Sequence, residues 1–428
     1  MIRCTSPGCS EYRGLNRRQF LGAGSAAVAA TIGAPLWLPR VAFAAEGDTS
    51  RYALVVIFLR GGCDGLSICA PYAEDAYYTA RPTIAIPRPD SGSAFAATDL
   101  DGFFGFPPAM TPLKGAYDAG HLLVVQACGS MDDSRSHFDA MRFMEVGKPR
   151  DPSLFTGWVG RHLLNSAPVN PSAILRAVAI NDSLQLSLAG SPLALPIPDL
   201  ENFSLEGIPE TLEDRLAALG AMYGQGAIEL RASAANTLTT MASLDAIDFE
   251  NYTPAGDAQY PETGFGQAMK SAAALIKAQI GVEAIATDLG GWDTHDSQNP
   301  LDGHMADIMN ELSSSLGALH ADLTAGGTLN FTVVVMSEFG RVFQENGSRG
   351  TDHGHGNMML VLGGGIAGGR ILRNWPGLAP ENLYQEQDLD VTIDYRDILA
   401  EIIQNRLGNS NLQAVFPGFI PTFRGVTA

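Results

Sequence analysis

Between Asn330 and Met359 the chain gathers Glu338, Arg341, Asp352, His353 and His355 in two motifs, S-E-F-G-R and T-D-H-G-H-G. Carboxylates and imidazoles packed this closely are ligand types for a hard or borderline divalent cation. A second group stands earlier, in D-L-G-G-W-D-T-H, Asp288 to His295. Asp293 and His295 flank one residue, so an extended loop turns both side chains to one side. The bland alternative is a loop aspartate beside a surface histidine. A third group, R-G-G-C-D-G-L, sets Asp64 behind paired glycines that permit a tight turn. Asp64 is either a metal-binding carboxylate or a solvated turn residue.

A different chemistry is offered by Ser134-Arg135-Ser136-His137, which runs into a helical pattern with Phe138, Met141, Phe143, Met144 and Val146 on its apolar faces. Serine at a helix start sits among free N–H groups and the positive end of the dipole. An anionic ester would bind there, and a serine oxygen could attack it. The competing reading is that Ser136, or Ser134, is only a helix cap. His137 beside them could carry a proton.

The apolar runs between these groups set the fold. Tyr52–Leu59, Leu122–Ala127, Leu175–Ile180, Val282–Thr287, Phe331–Met336 and Met358–Leu362 read as buried strands. They alternate with helical patterns at 139–146, 157–166, 266–279, 301–325 and 395–407. Pro108–Tyr117 reads as a further short helix and Thr83–Ile86 as one short strand. The expected class is α/β, a mostly parallel central sheet sandwiched by helices. From about 192 to 264 helical patterns dominate and imply a helical insertion. In open α/β sheets ligands bind at the carboxyl ends of strands. Asp64, Asp293, Glu338 and His353 are therefore expected at one edge.

The chain has 428 residues and a formal charge of −19, which argues against non-specific nucleic-acid binding. Its first 44 residues read as a twin-arginine signal, with Asn16-Arg17-Arg18-Gln19-Phe20-Leu21, an apolar segment and the cleavage triplet Ala42-Phe43-Ala44. The mature domain would be 45–428, periplasmic or extracellular, with no membrane attachment after cleavage. Beyond Cys4 and Cys9 of the leader, Cys63, Cys69 and Cys128 do not make a disulfide framework.

Taken in order, these anchors and the twin-arginine leader resemble a family of exported bacterial proteins, domain of unknown function 1501. That family is placed with the alkaline-phosphatase-like and sulfatase-like proteins. The resemblance implies a metal-binding Asp64, a nucleophile at Ser136 or Ser134, and ligands among Asp293, His295, Glu338, Asp352, His353 and His355. It implies a divalent cation: zinc, or calcium, magnesium or manganese. Arg135 and Arg341 would neutralise the transferred group. The S-D-H-G motif of the alkaline-phosphatase-like superfamily is S-E-F-G here, so Phe339 stands where that resemblance implies a histidine ligand. The implied function is hydrolysis of phosphate or sulfate esters, on a small-molecule or glycan substrate. The rival reading is a non-catalytic exported binding or scaffold protein with an exported protein partner.

Overall fold

A computed structural model describes residues 52–203, 207–224 and 228–428. The expected twin-arginine signal and its cleavage triplet lie outside these residues. Among the described residues, nine strands form one sheet. In chain order the strands are β1 (Ala53–Leu59), the short hairpin pair β2 (Thr98–Asp99) and β3 (Gly105–Phe106), β4 (Leu122–Gly129), β5 (Ala177–Ala179), β6 (Ala194–Pro196), β7 (Ala284–Leu289), β8 (Phe331–Ser337), β9 (Asn357–Gly363), β10 (Arg370–Leu372) and β11 (Ile393–Asp394). The main sheet runs β10-β4-β9-β8-β1-β7-β5-β6, with β11 beside β4; β2 and β3 pair apart from it.

Every residue of β1 is buried, as a sheet covered on both faces requires. Its side chains alternate between two cores. Val55, Ile57 and Leu59 join one core, and Leu54, Val56 and Phe58 the other. Each such side chain contributes about 1.5–3 kcal/mol by leaving water. The helices needed here are α1 (His137–Val146), α2 (Trp158–Leu164), α3 (Leu212–Gly224), α4 (Ile228–Asp245), α5 (Gly264–Ala278), α6 (His304–Ala325) and α7 (Tyr395–Asn405). Met269 and Ala272 of α5 and Leu312 and Leu316 of α6 cover the first face. Trp158 of α2 and Ile398 and Ile402 of α7 cover the second. The caps are readable in sequence. Thr263 accepts the Gly266 N–H at the start of α5, and Asp394 accepts the Arg396 N–H at the start of α7.

Register positions the site. Leu59 is level with Leu289 of β7 and with Ser337 of β8, both parallel to β1. The loops that leave these three residues therefore emerge at one edge. β9 is the exception to the parallel run, antiparallel to both β4 and β8. Its beginning, not its end, lies at that edge, so the residues before it reach the same place.

Two expectations are corrected. Thr83–Ile86 is not a strand; the Thr83 and Ile84 N–H groups donate to the Glu345 carboxylate, so a side chain replaces a ladder. The 192–264 region contains α3 and α4 but opens with β6, which pairs parallel with β5 at the sheet margin. Pro196 is tolerated there because an edge strand needs no donor on its outer side. Cys63, Cys69 and Cys128 are free and buried. Burial pushes the Cys63 and Cys69 thiols up to about 12, so neither is a nucleophile. No helix among the described residues is long and apolar enough to cross a membrane.

Candidate metal centre

His137, Asp293 and His353 each bring one ligand-type atom within 4.8 Å of the others. His137 is the first residue of α1, after β4. Asp293 follows β7. His353 precedes β9. His295 flanks them, its Nε2 3.0 Å from Asp293 Oδ1 and 2.9 Å from His353 Nε2.

On its far side each ring is anchored through Nδ1. His353 Nδ1 is 2.9 Å from the Arg135 carbonyl, which only accepts, so this nitrogen carries the proton. His295 Nδ1 is 2.8 Å from Asp352 Oδ1, and His137 Nδ1 is 2.8 Å from Glu338 Oε1. Ionised carboxylates only accept, so these nitrogens donate too. On the other side, His295 Nε2 and His353 Nε2 lie 3.0 and 3.2 Å from Asp293 Oδ1. His137 Nε2 has no hydrogen-bond partner and lies 3.5 Å from Asp293 Oδ2. Two imidazole lone pairs 2.9 Å apart repel unless a proton or a cation lies between them. The donor set therefore fits a divalent cation.

Electrostatics follows the same plan. Burial pushes the Asp293 carboxyl up, but the Arg341 hydrogen bond and charge, then His353 and His295, outweigh it and hold it below its ordinary pKa. The His295 hydrogen bond holds Asp352 down as well. His353 is lowered chiefly by burial, and His137 is raised chiefly by its Glu338 hydrogen bond.

Other sequence candidates take different places. Asp64 reaches the same edge but turns inward, 1% exposed, and both its oxygens are bound by Arg81 at 2.5 and 3.0 Å. Ser67 and Gln298 also donate to it, so its lone pairs are spent inside the protein. Arg341 is buried, and its donors go to the Gly61, Gly62, Trp292 and Thr351 carbonyls and to Asp293. It orders the loops and holds Asp293, and it has no face turned to a substrate. Arg135 is held at the rim by Asp388 at 2.6 Å. His355 lies outside the triad and stacks on Tyr384, with ring centroids 4.1 Å apart. Glu338 and Asp352 bind rings rather than joining the triad. Phe339 packs its ring 5.0 Å from His137 and 4.9 Å from His353. An apolar wall thus stands where the resembled motif has a histidine.

Ser136 is the N-cap residue of α1, yet its side chain accepts no capping hydrogen bond. It is exposed, one residue from His137. The Ser134 hydroxyl accepts the Ser136 N–H instead, at 3.2 Å. His137 as a ligand-type residue was missed in sequence, where its neighbours suggested a proton carrier. The available signal was its position directly after the turn that ends β4.

No curated protein matches the chain. Among solved structures, it is similar to a protein in the alkaline phosphatase superfamily from Vibrio parahaemolyticus, 10% identical with a TM-score of 0.34. That likeness covers 75% of this chain, which spans only 62% of the Vibrio protein. It is also similar to the phosphonate monoester hydrolase of Agrobacterium radiobacter, 10% identical with a TM-score of 0.34, over 87% of this chain and 79% of that one. A 2-O GAG sulfatase is 11% identical with a TM-score of 0.27, over 74% of this chain and 65% of its own. Residues 206–415 match a family model described as protein of unknown function (DUF1501).

Proposed function

We propose that the chain is a metal-dependent hydrolase of phosphate or sulfate esters. One observation supports the reading: three imidazoles, each anchored through Nδ1, turn Nε2 toward the Asp293 carboxylate. His137, Asp293, His295 and His353 would hold a zinc or manganese ion. Such an ion, when bound, polarises an ester oxygen and lowers the pKa of a hydroxyl beside it. Ser136 is the nucleophile. Its Oγ bonds to the ester's phosphorus or sulfur as its proton passes to solvent and the ester's alcohol or phenol oxygen leaves with the electron pair; water then cleaves the Ser136 ester and releases phosphate or sulfate. The first N–H groups of α1 bind the anionic oxygens of the group being transferred. Arg135 adds positive charge at the rim. Arg341 acts only through Asp293. Ester turnover by the purified exported protein, assayed with aryl phosphates, phosphodiesters and sulfates and added zinc or manganese, tests this. Turnover that disappears with a chelator and returns with metal is the expected result. No turnover over the whole panel overturns it.

A second reading is a non-catalytic exported scaffold that keeps the cation for structure. Phe339 in the expected histidine's place and Asp64's internal ion pair favour it. Stoichiometric metal without turnover, and a protein partner recovered with the exported chain, would mark this outcome. Export itself rests on Arg17 and Arg18. Changing both to lysine should hold precursor in the cytoplasm, as read by fractionation.

A further inference from the structure

Glu338 occupies the place where the motif resemblance implies a metal ligand, but its Oε1 is already committed. Oε1 accepts the Gly61 N–H at 2.9 Å and faces His137 Nδ1 at 2.8 Å. Oε2 lies 2.9 Å from Ser337 Oγ, which accepts the Cys63 N–H at 3.0 Å and donates to the Leu59 carbonyl at 2.7 Å. The carboxylate is 1% exposed and hangs from the last residue of β1, the first glycine of its turn and the end of β8. It is therefore fixed to the sheet, and only one of its contacts reaches the site. That contact is a ring nitrogen whose opposite nitrogen has no partner. The Phe339 ring, tilted 37° against His137, limits the ring's other orientations.

We infer that Glu338 is a positioning residue: it fixes His137 with its proton on Nδ1 and presents Nε2 to the cation site. The inference deepens the reading above and rests on it only for the identity of what Nε2 meets. A carboxylate behind a histidine ligand orients the ring and raises its basicity, and losing it costs about 10–100-fold in metal affinity. Here the same carboxylate oxygen also accepts the Gly61 N–H, which ties the His137 ring to the β1 turn.

The Glu338→Gln variant separates this from mere packing. Its carbonyl oxygen can still accept from Gly61 and His137, and its amide can donate to Ser337 Oγ. Nitrogen-15 NMR of the histidine rings in metal-free full-length protein reads the tautomer, and zinc titration reads affinity. Wild type should show His137 protonated at Nδ1. Glu338→Gln should keep that tautomer with about tenfold weaker zinc binding, and Glu338→Ala should lose the tautomer and up to about 100-fold in affinity. Should Glu338→Ala not fold, wild type and Glu338→Gln suffice. A wild-type His137 protonated at Nε2, or unchanged zinc affinity in folded Glu338→Ala, overturns the inference. A correct tautomer in a protein that binds neither zinc nor manganese leaves the positioning intact and defeats the hydrolase reading instead.

Discussion

Ser136 holds the N-cap position of α1 without making a capping bond. A capping serine replaced by alanine costs about 1 kcal/mol. Ser136→Ala should therefore cost less than about 0.5 kcal/mol in urea denaturation, because the capping bond is not there to lose. As the proposed nucleophile, the same variant should lose turnover by orders of magnitude while binding metal normally. Full turnover would move the attack to Ser134 or to water. Asp64 gives the opposite pattern. Removing one partner of a buried ion pair costs about 3–5 kcal/mol, so Asp64→Asn should be strongly destabilised while its zinc affinity changes little. Burial pushes the Asp64 carboxyl up, but Arg81's charge and hydrogen bonds, then Ser67 and Gln298, leave it below its ordinary 3.8. A folded pKa below the unfolded one contributes stability that is complete above the unfolded value and is lost as pH falls through the folded value. The gap between wild type and Asp64→Asn should thus be full at neutral pH and narrow in acid below about 4. Unfolding free energies measured across that range check it. Sequence held every residue of the centre, including both carboxylates that stand behind the rings. It did not tell a ligand from a support, because that depends on which atom of a side chain faces which neighbour.

The turn after β1 carries the site at the scale of elements. Gly61 has φ +120°, and a Cβ on it would lie 2.6 Å from the Asp293 backbone nitrogen. Gly61→Ala therefore has to strain the turn, at about 1–3 kcal/mol, and push the Asp293 loop away. Zinc affinity and stability should fall together, which calorimetry and denaturation of one variant can read. The paired glycines announced this turn in the sequence, and the long apolar runs announced β1, β4, β7 and β8. The direction of β9 was not legible, since an apolar run looks the same in either sense. Its reversal still helps the site, because His353 joins the edge by preceding a strand. β6 escaped notice because three residues are too few for a period to show.

For the whole molecule, a formal charge of −19 draws cations toward it. Zinc association should slow as ionic strength rises, as stopped-flow measurements at two salt concentrations would show. A cation that binds only the folded state adds about 4 kcal/mol at a thousandfold excess over its Kd. The melting temperature should rise by several degrees with zinc and fall back with a chelator. A melting curve indifferent to both would count against the centre. The pairing of β1 with β8 also has a consequence in time. The Ser337 hydroxyl reaches back 278 residues to the Leu59 carbonyl, and His353 leans on a carbonyl 218 residues before it. Contacts this distant close late, because loop entropy must be met before they form. A growing chain thus owns no complete cation seat until nearly all of it has been synthesised. In the proposed reading, metal capture would follow the closing of these contacts, and with twin-arginine export it would take place in the cytoplasm, before the folded protein departs.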